Sequence, residues 1–132
     1  MNPEPMNTRR HNYAKELGKK AEEIAEAFFR EKGYHIVERN YQVPCGEIDL
    51  ILEDRSRVIF VEVKSRVNAK YGLPQEAITY HKRRQIIRVA KWYLQERGCL
   101  DREIRFDVLA IRFHGFKKPA IEHIPWAFDL EE

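Results

Sequence analysis

Apolar residues recur at helical spacing from about Asn12 to Lys32. Leu17, Ala21, Ile24, Ala25 and Phe28 fall on one stripe, as a 3.6-residue period requires. Gly33 stands where a C-terminal stop is expected. An extended segment, Tyr34 to Gln42, follows, and Pro44-Cys45-Gly46 is turn chemistry. The period then drops to two. Over Glu47 to Glu53, alternation places Ile48, Leu50 and Leu52 on one face, with Glu47, Asp49 and Ile51 on the other. Asp54-Arg55-Ser56 reads as a tight connection to Val58–Val63, a nearly continuous β-branched and aromatic run. Such a run fits a central strand covered on both faces. Residues 67–73 form a polar loop with Gly72, and Pro74 suits the first turn of a second helix. That helix is expected to run to about Arg97, before Gly98. Arg105 to Phe113 reads as a strand, a Gly115/Pro119 turn follows, and a last short strand lies near Ala120 to Ile124. The order predicts an α/β domain, a mixed sheet flanked by helices.

Composition narrows the class. A chain of 132 residues suits one domain, expected over residues 12–132. Residues 1–11, with Pro3 and Pro5, read as a flexible leader. Charged residues make up 34 % of the chain but are dispersed, unlike the blocks of a disordered tail. The net charge of +3 and pI near 8.9 permit a polyanionic partner without demanding one. Cys45 and Cys99 lack metal-type spacing and are expected to be reduced. The first ten residues hold no apolar run, and no stretch approaches the ~20 apolar residues that span a bilayer. A cytoplasmic protein without membrane contact is expected. The five histidines show no ligand spacing, which argues against a zinc hydrolase. Neither a Gly-rich phosphate loop nor a nucleophile elbow is present.

The chemistry concentrates in Asp49, Glu62 and Lys64. Alternation puts Glu62 and Lys64 on one face, shared with Val58 and Phe60. An acid and an amine thus project from the end of an apolar strand, where charge is retained only if paired or bound to a metal. An internal Glu62–Lys64 ion pair accounts for that spacing equally well. Asp49 shifts the balance, because pairing of the two strands as a hairpin brings it beside Glu62. Neighbouring carboxylates repel, and a divalent cation relieves the repulsion. Hard oxygen ligands suit Mg²⁺ or Mn²⁺, and such an ion acidifies water into a nucleophile. An adjacent ammonium orients that water or stabilises a phosphoryl transition state.

Gly46-Glu47-Ile48-Asp49-Leu50-Ile51 and Phe60-Val61-Glu62-Val63-Lys64-Ser65-Arg66 resemble the signature of the YraN-like family of small bacterial proteins. Arg39-Asn40-Tyr41 and Arg105-Phe106-Asp107-Val108 match its pattern too. The resemblance covers about residues 17–125. It implies a restriction-endonuclease-like fold of the PD-(D/E)xK nucleases, similar to archaeal Holliday-junction resolvases. It further implies Asp49 and Glu62 as metal ligands and Lys64 as the catalytic lysine. Ile48 stands where the superfamily motif has Pro.

Further residues are weighed from their positions. Glu22 lies at the edge of the first helix's apolar stripe, while Glu23 and Glu26 point farther away. It reaches inward or remains a solvated helix acid. The family pattern has Gly-Glu where this chain has Ala21-Glu22, and related nucleases use an acid from this helix. Lys82 shares a stripe with Ile78, Ile86, Val89 and Tyr93, so its amine snorkels to water or reaches the site or a phosphate. Arg66 extends the central strand as a phosphate-binding candidate. Arg84, Arg88 and Lys91 form a stripe expected to be solvated. Asp107 shares a face with Arg105 as a structural pair or a support for the site. Tyr71 and Gly72 suggest a lip over it. The reading is a Mg²⁺- or Mn²⁺-dependent nuclease, acting on DNA more than RNA, with a C₂ homodimer suggested by the resolvase resemblance. Its rival is a catalytically silent nucleic-acid-binding or scaffold protein.

Overall fold

The apolar run around Phe60 forms the spine of the sheet, and the other elements are placed by what they pack against it. A computed structural model describes residues 6–67 and 78–130. Its elements are α1 (Met6–Glu31), β1 (His35–Val43), β2 (Gly46–Asp54), β3 (Arg57–Val67), α2 (Tyr80–Glu96), β4 (Glu103–His114) and β5 (Lys117–Phe128). The sheet order is β1-β2-β3-β4-β5. β3 and β4 run parallel, joined through α2, and the other neighbours are antiparallel. The expected mixed α/β sheet is therefore present.

Two cores cover the two faces. Ala21, Ala25 and Phe29 of α1 pack on Leu50, Leu52, Ile59, Val61, Leu109 and Ile111. Ile86, Val89, Ala90 and Tyr93 of α2 pack on Ile48, Ile51, Val58, Phe60 and Val108. The three layers explain why Val58 through Val61 are all buried: each face of β3 has its own helix.

Several boundaries differ from those expected. α1 starts at Met6 rather than Asn12, so residues 6–11 of the expected leader belong to the helix. No proline or glycine interrupts the sequence between Met6 and Leu17, so nothing there opposes helix. α2 starts at Tyr80, where Thr79 caps it by accepting a hydrogen bond from the Lys82 amide at 3.1 Å. That hydroxyl satisfies one of the helix's orphan donors. Pro74 and the Tyr71-Gly72 lip lie outside the described residues.

β5 runs on to Phe128, well past Ile124. Pro119 and Pro125 obscure that length, yet an edge strand tolerates proline because half its amides have no ladder partner. Cys45 and Cys99 are both free thiols. No described helix is long and apolar enough to cross a membrane.

The alternation expected for β2 breaks at Asp49. Ile48 packs beneath α2 together with Ile51, whereas Leu50 and Leu52 pack beneath α1. Residues 48 and 51 cannot share a face of a regular strand, so the in–out phase slips by one between Ile48 and Leu50.

Candidate active site

That slip sits where the sheet divides. Pairing of β2 with β3 extends from Asp54↔Arg57 only to Leu50↔Val61. Beyond it, β2 stays with β1 as far as Gly46↔Val43. β3 stays with β4 as far as Val67↔Phe113. The two strands thus part at Asp49 and Glu62, leaving a fork. A fork orphans backbone amides, which must find other partners. The Val63 amide donates to Asp49 Oδ2 at 2.8 Å, so a side chain replaces the missing strand partner.

Glu62 faces the α2 side, as Phe60 and Val58 do, and is only 8 % exposed. Its carboxyl and that of Asp49 come within hydrogen-bonding reach of each other. Burial, followed by the charge of Asp49, pushes the Glu62 carboxyl up to about 7, against the pull of Lys82 and Lys64. Asp49 is also raised, chiefly by burial and further by Glu47 and Glu22, while the Val63 hydrogen bond and Lys82 oppose the rise. Lys64 Nζ lies 3.9 Å from Glu62 Oε1. That separation makes a loose ion pair rather than a close one, so the internal-pair account of Glu62 and Lys64 describes only part of the arrangement.

The residues named from the sequence separate into three groups. Asp49, Glu62 and Lys64 converge at the fork. Glu22 and Lys82 flank it from the two helices: each is half-buried, Glu22 acts on Asp49, and Lys82 acts on both carboxyls. Arg66 stands apart, exposed near the end of β3, with Nη1 donating to the Ser65 carbonyl at 3.1 Å. Of the other helix acids, Glu26 pairs with Arg39, and Glu23 is exposed.

Asp107 belongs elsewhere. It pairs with Val61 across β3–β4, and Val61 packs on the α1 side, so it faces away from Glu62. Its carboxylate accepts from Arg105 Nε and Nη2 at 2.8 and 2.7 Å and from the Trp126 amide at 3.2 Å. His123 Nε2 adds a contact at 2.7 Å. Burial alone would raise this carboxyl, but the bonds from His123 and Arg105 outweigh it and hold it below its ordinary value. With four donors around two oxygens, Asp107 is a structural node.

Sequence reasoning missed two neighbours. A cavity of ≈ 420 Å³ adjoins the fork, lined by residues 42–47 of the β1–β2 turn and by Lys82 and Gln85. Glu47, two residues before Asp49, borders it, and that i, i+2 spacing was the available signal. Gln85 Nε2 donates to the Cys45 carbonyl at 3.2 Å and ties the turn to α2. A Cβ on Gly46 (φ +148°) would come within 2.9 Å of the Gln85 side chain. That contact depends on turn geometry, which local pattern does not encode.

The pair presents hard oxygen donors, one buried and one half-buried, that repel each other, which is the chemistry a divalent cation fits. Among the described residues no cluster of three or more His, Cys, Asp or Glu is gathered for a metal. Asp49 and Glu62 would therefore be the protein's contribution, with water completing the shell, as Mg²⁺ sites commonly allow.

Residues 21–111 match the family described as "Uncharacterised protein family UPF0102". The chain belongs to this family. UPF0102 proteins lie within the restriction-endonuclease-like superfamily, and a five-stranded mixed sheet between two helices is consistent with that fold. A UPF0102 protein of Syntrophotalea carbinolica is 46 % identical over 115 residues, covering 87 % of this chain and 93 % of the relative. One from Geobacter metallireducens is 45 % identical over 120 residues, covering 91 % and 96 %. The UPF0102 match takes in Asp49, Glu62, Lys64, Lys82 and Glu22 together.

Proposed function

We propose that this UPF0102 protein hydrolyses phosphodiester bonds of DNA, with Mg²⁺ or Mn²⁺ held by Asp49 and Glu62. The observation that carries the reading is the fork, which brings a buried carboxyl, Glu62, and a half-buried one, Asp49, together between two lysines. A bound divalent cation supplies Lewis-acid polarisation of a phosphoryl oxygen and acidifies water. The chain's own groups do the rest. Val63 holds Asp49 in place through its amide. Lys64 orients the attacking water or meets the charge that grows on the phosphoryl oxygens. Lys82 favours the ionised form of both carboxyls, the form that binds a cation. Glu22 supplies a further acid from α1, and Arg66 contacts phosphate farther along the strand. A twofold dimer would present two such sites to branched DNA, and sedimentation velocity tests that state.

The test is a cleavage survey over single-stranded, duplex and four-way DNA, and single-stranded RNA, with EDTA, Mg²⁺ or Mn²⁺. Metal-dependent cutting is expected, and its loss in Asp49→Asn, Glu62→Gln and Lys64→Ala with folding and binding intact. Binding without metal-dependent cutting of any substrate would establish the rival, a catalytically silent nucleic-acid-binding or scaffold protein.

A further inference from the structure

α1 is longer than the sheet needs. From Asn12 onward, its buried anchors are Ala21, Ala25 and Phe29, whereas Asn12 through Glu16 are exposed and Leu17 is the first half-buried apolar residue of that stretch. The levels along the helix can be followed. Phe29 packs edge-on to Tyr34 and His123. Glu26 pairs with Arg39, which lies opposite Leu50. Glu22 then comes level with Asp49, whose carboxyl feels its charge. Continuing in the same direction, the helix passes the fork, keeps Leu17 on the core beside Val63 and Phe113, and beyond it exposes every residue from Asn12 to Glu16.

The side chains on that overhang are ordered by angle. At about 100° per residue, Lys15, Lys19, Glu22 and Glu26 fall within about 60° of one another. The face that meets Arg39 and the fork is thus carried onward by two lysines. At ~1.5 Å rise per residue, Lys19 stands about 4.5 Å beyond Glu22 and Lys15 about 10.5 Å beyond it. Both are exposed, and among the described residues neither forms an ion pair. Glu22 and Glu23 stand three and four residues from Lys19, spacings at which opposite charges attract, yet neither closes an ion pair with it, and the two amines stay open to a polyanion. Lys20 points about 160° away from Glu22, and Tyr13 lies on the reverse side.

Resting on the nuclease reading, we infer that the overhang of α1 is a phosphate-gripping arm, with Lys15 and Lys19 contacting the backbone of double-stranded DNA flanking the bond at the Asp49–Glu62 fork. A duplex carries one negative charge per ~1.7 Å of axis, so a stiff helix with two amines about 6 Å apart along its length finds a partner for each. A single strand would call for aromatic stacking platforms, and the one aromatic side chain described on the overhang, Tyr13, is turned away. The arm also sets direction, since it engages DNA on one side of the fork alone.

The test measures affinity for a blunt DNA duplex in EDTA as a function of salt, so that binding is read without cleavage. Lys15→Ala/Lys19→Ala is expected to lower the slope of log K against log salt by about 0.9 for each lysine and to weaken binding severalfold. Lys20→Ala, on the reverse side, is expected to leave the slope unchanged. Thermal melting confirms folding of each variant, which exposed positions tolerate. An unchanged slope in the double variant, or an equal loss in Lys20→Ala, overturns the arm. The two readings separate cleanly. Cleavage with an unchanged slope removes the arm and keeps the nuclease. A lowered slope in a protein that cuts nothing keeps the arm and removes the nuclease.

Discussion

At Glu62, burial and a neighbouring carboxyl act in the same direction, and the proton is the beneficiary. The folded carboxyl titrates near 7 rather than at its ordinary 4.5, so between those values the native chain holds more protons than the unfolded one. Stability therefore falls as pH rises through that interval: the contribution is complete below the unfolded value and gone above the folded one. Without divalent cations, the melting temperature is expected to drop from about pH 5 to pH 8. Glu62→Gln should flatten that decline and melt higher at pH 8. A wild-type melting temperature that climbs over the same range would show that Glu62 ionises freely. Lys82 and Lys64 then divide by role. Lys82→Ala removes the larger cationic pull on Glu62, so the acid limb of the pH–rate profile should move to higher pH. Lys64→Ala should lower kcat by about 10²–10³ at every pH, with a smaller displacement of that limb.

Among the elements, β4 and α2 carry the clearest stability predictions. Asp107→Ala leaves Arg105 buried without its bidentate partner, and losses of this kind run to about 3–5 kcal/mol; urea denaturation measures it. Thr79→Ala removes the cap of α2 and should cost about 1 kcal/mol. Such elements were legible because each is a local pattern. The apolar run named the central strand. Alternation put Glu62 and Lys64 on one face, and the edge of a helical stripe singled out Glu22. The shared face of Arg105 and Asp107 offered the pair that they form. What stayed hidden depends on relations between strands. The phase slip at Asp49 arises because β2 follows β1 while β3 follows β4, and no window of one strand reports its neighbours' paths. Glu47 and Gln85 meet only through a turn, and Thr79 was screened by Pro74, a more conspicuous start signal.

Over the whole molecule, charge is distributed unevenly. α2 holds Lys82, Arg83, Arg84, Arg88 and Lys91 against a single acid, Glu96. Lys82 acts on both carboxyls of the fork. Arg88 and Lys91 are exposed on the far side, so Arg88→Ala/Lys91→Ala should alter duplex affinity less than Lys15→Ala/Lys19→Ala, a comparison that fluorescence anisotropy at fixed salt can make. The sheet's outer margin at β5 carries Pro119 and Pro125 with Lys117 and Lys118, a combination that discourages strand addition by another chain. The parting of β2 from β3 has one more implication. The Val63 amide ties the two halves of the sheet together across the gap through a carboxyl oxygen of Asp49. Its nuclear-magnetic-resonance signal is therefore a built-in gauge: whatever visits Asp49, proton or ion, will be written into the resonance of a backbone group that never touches the visitor.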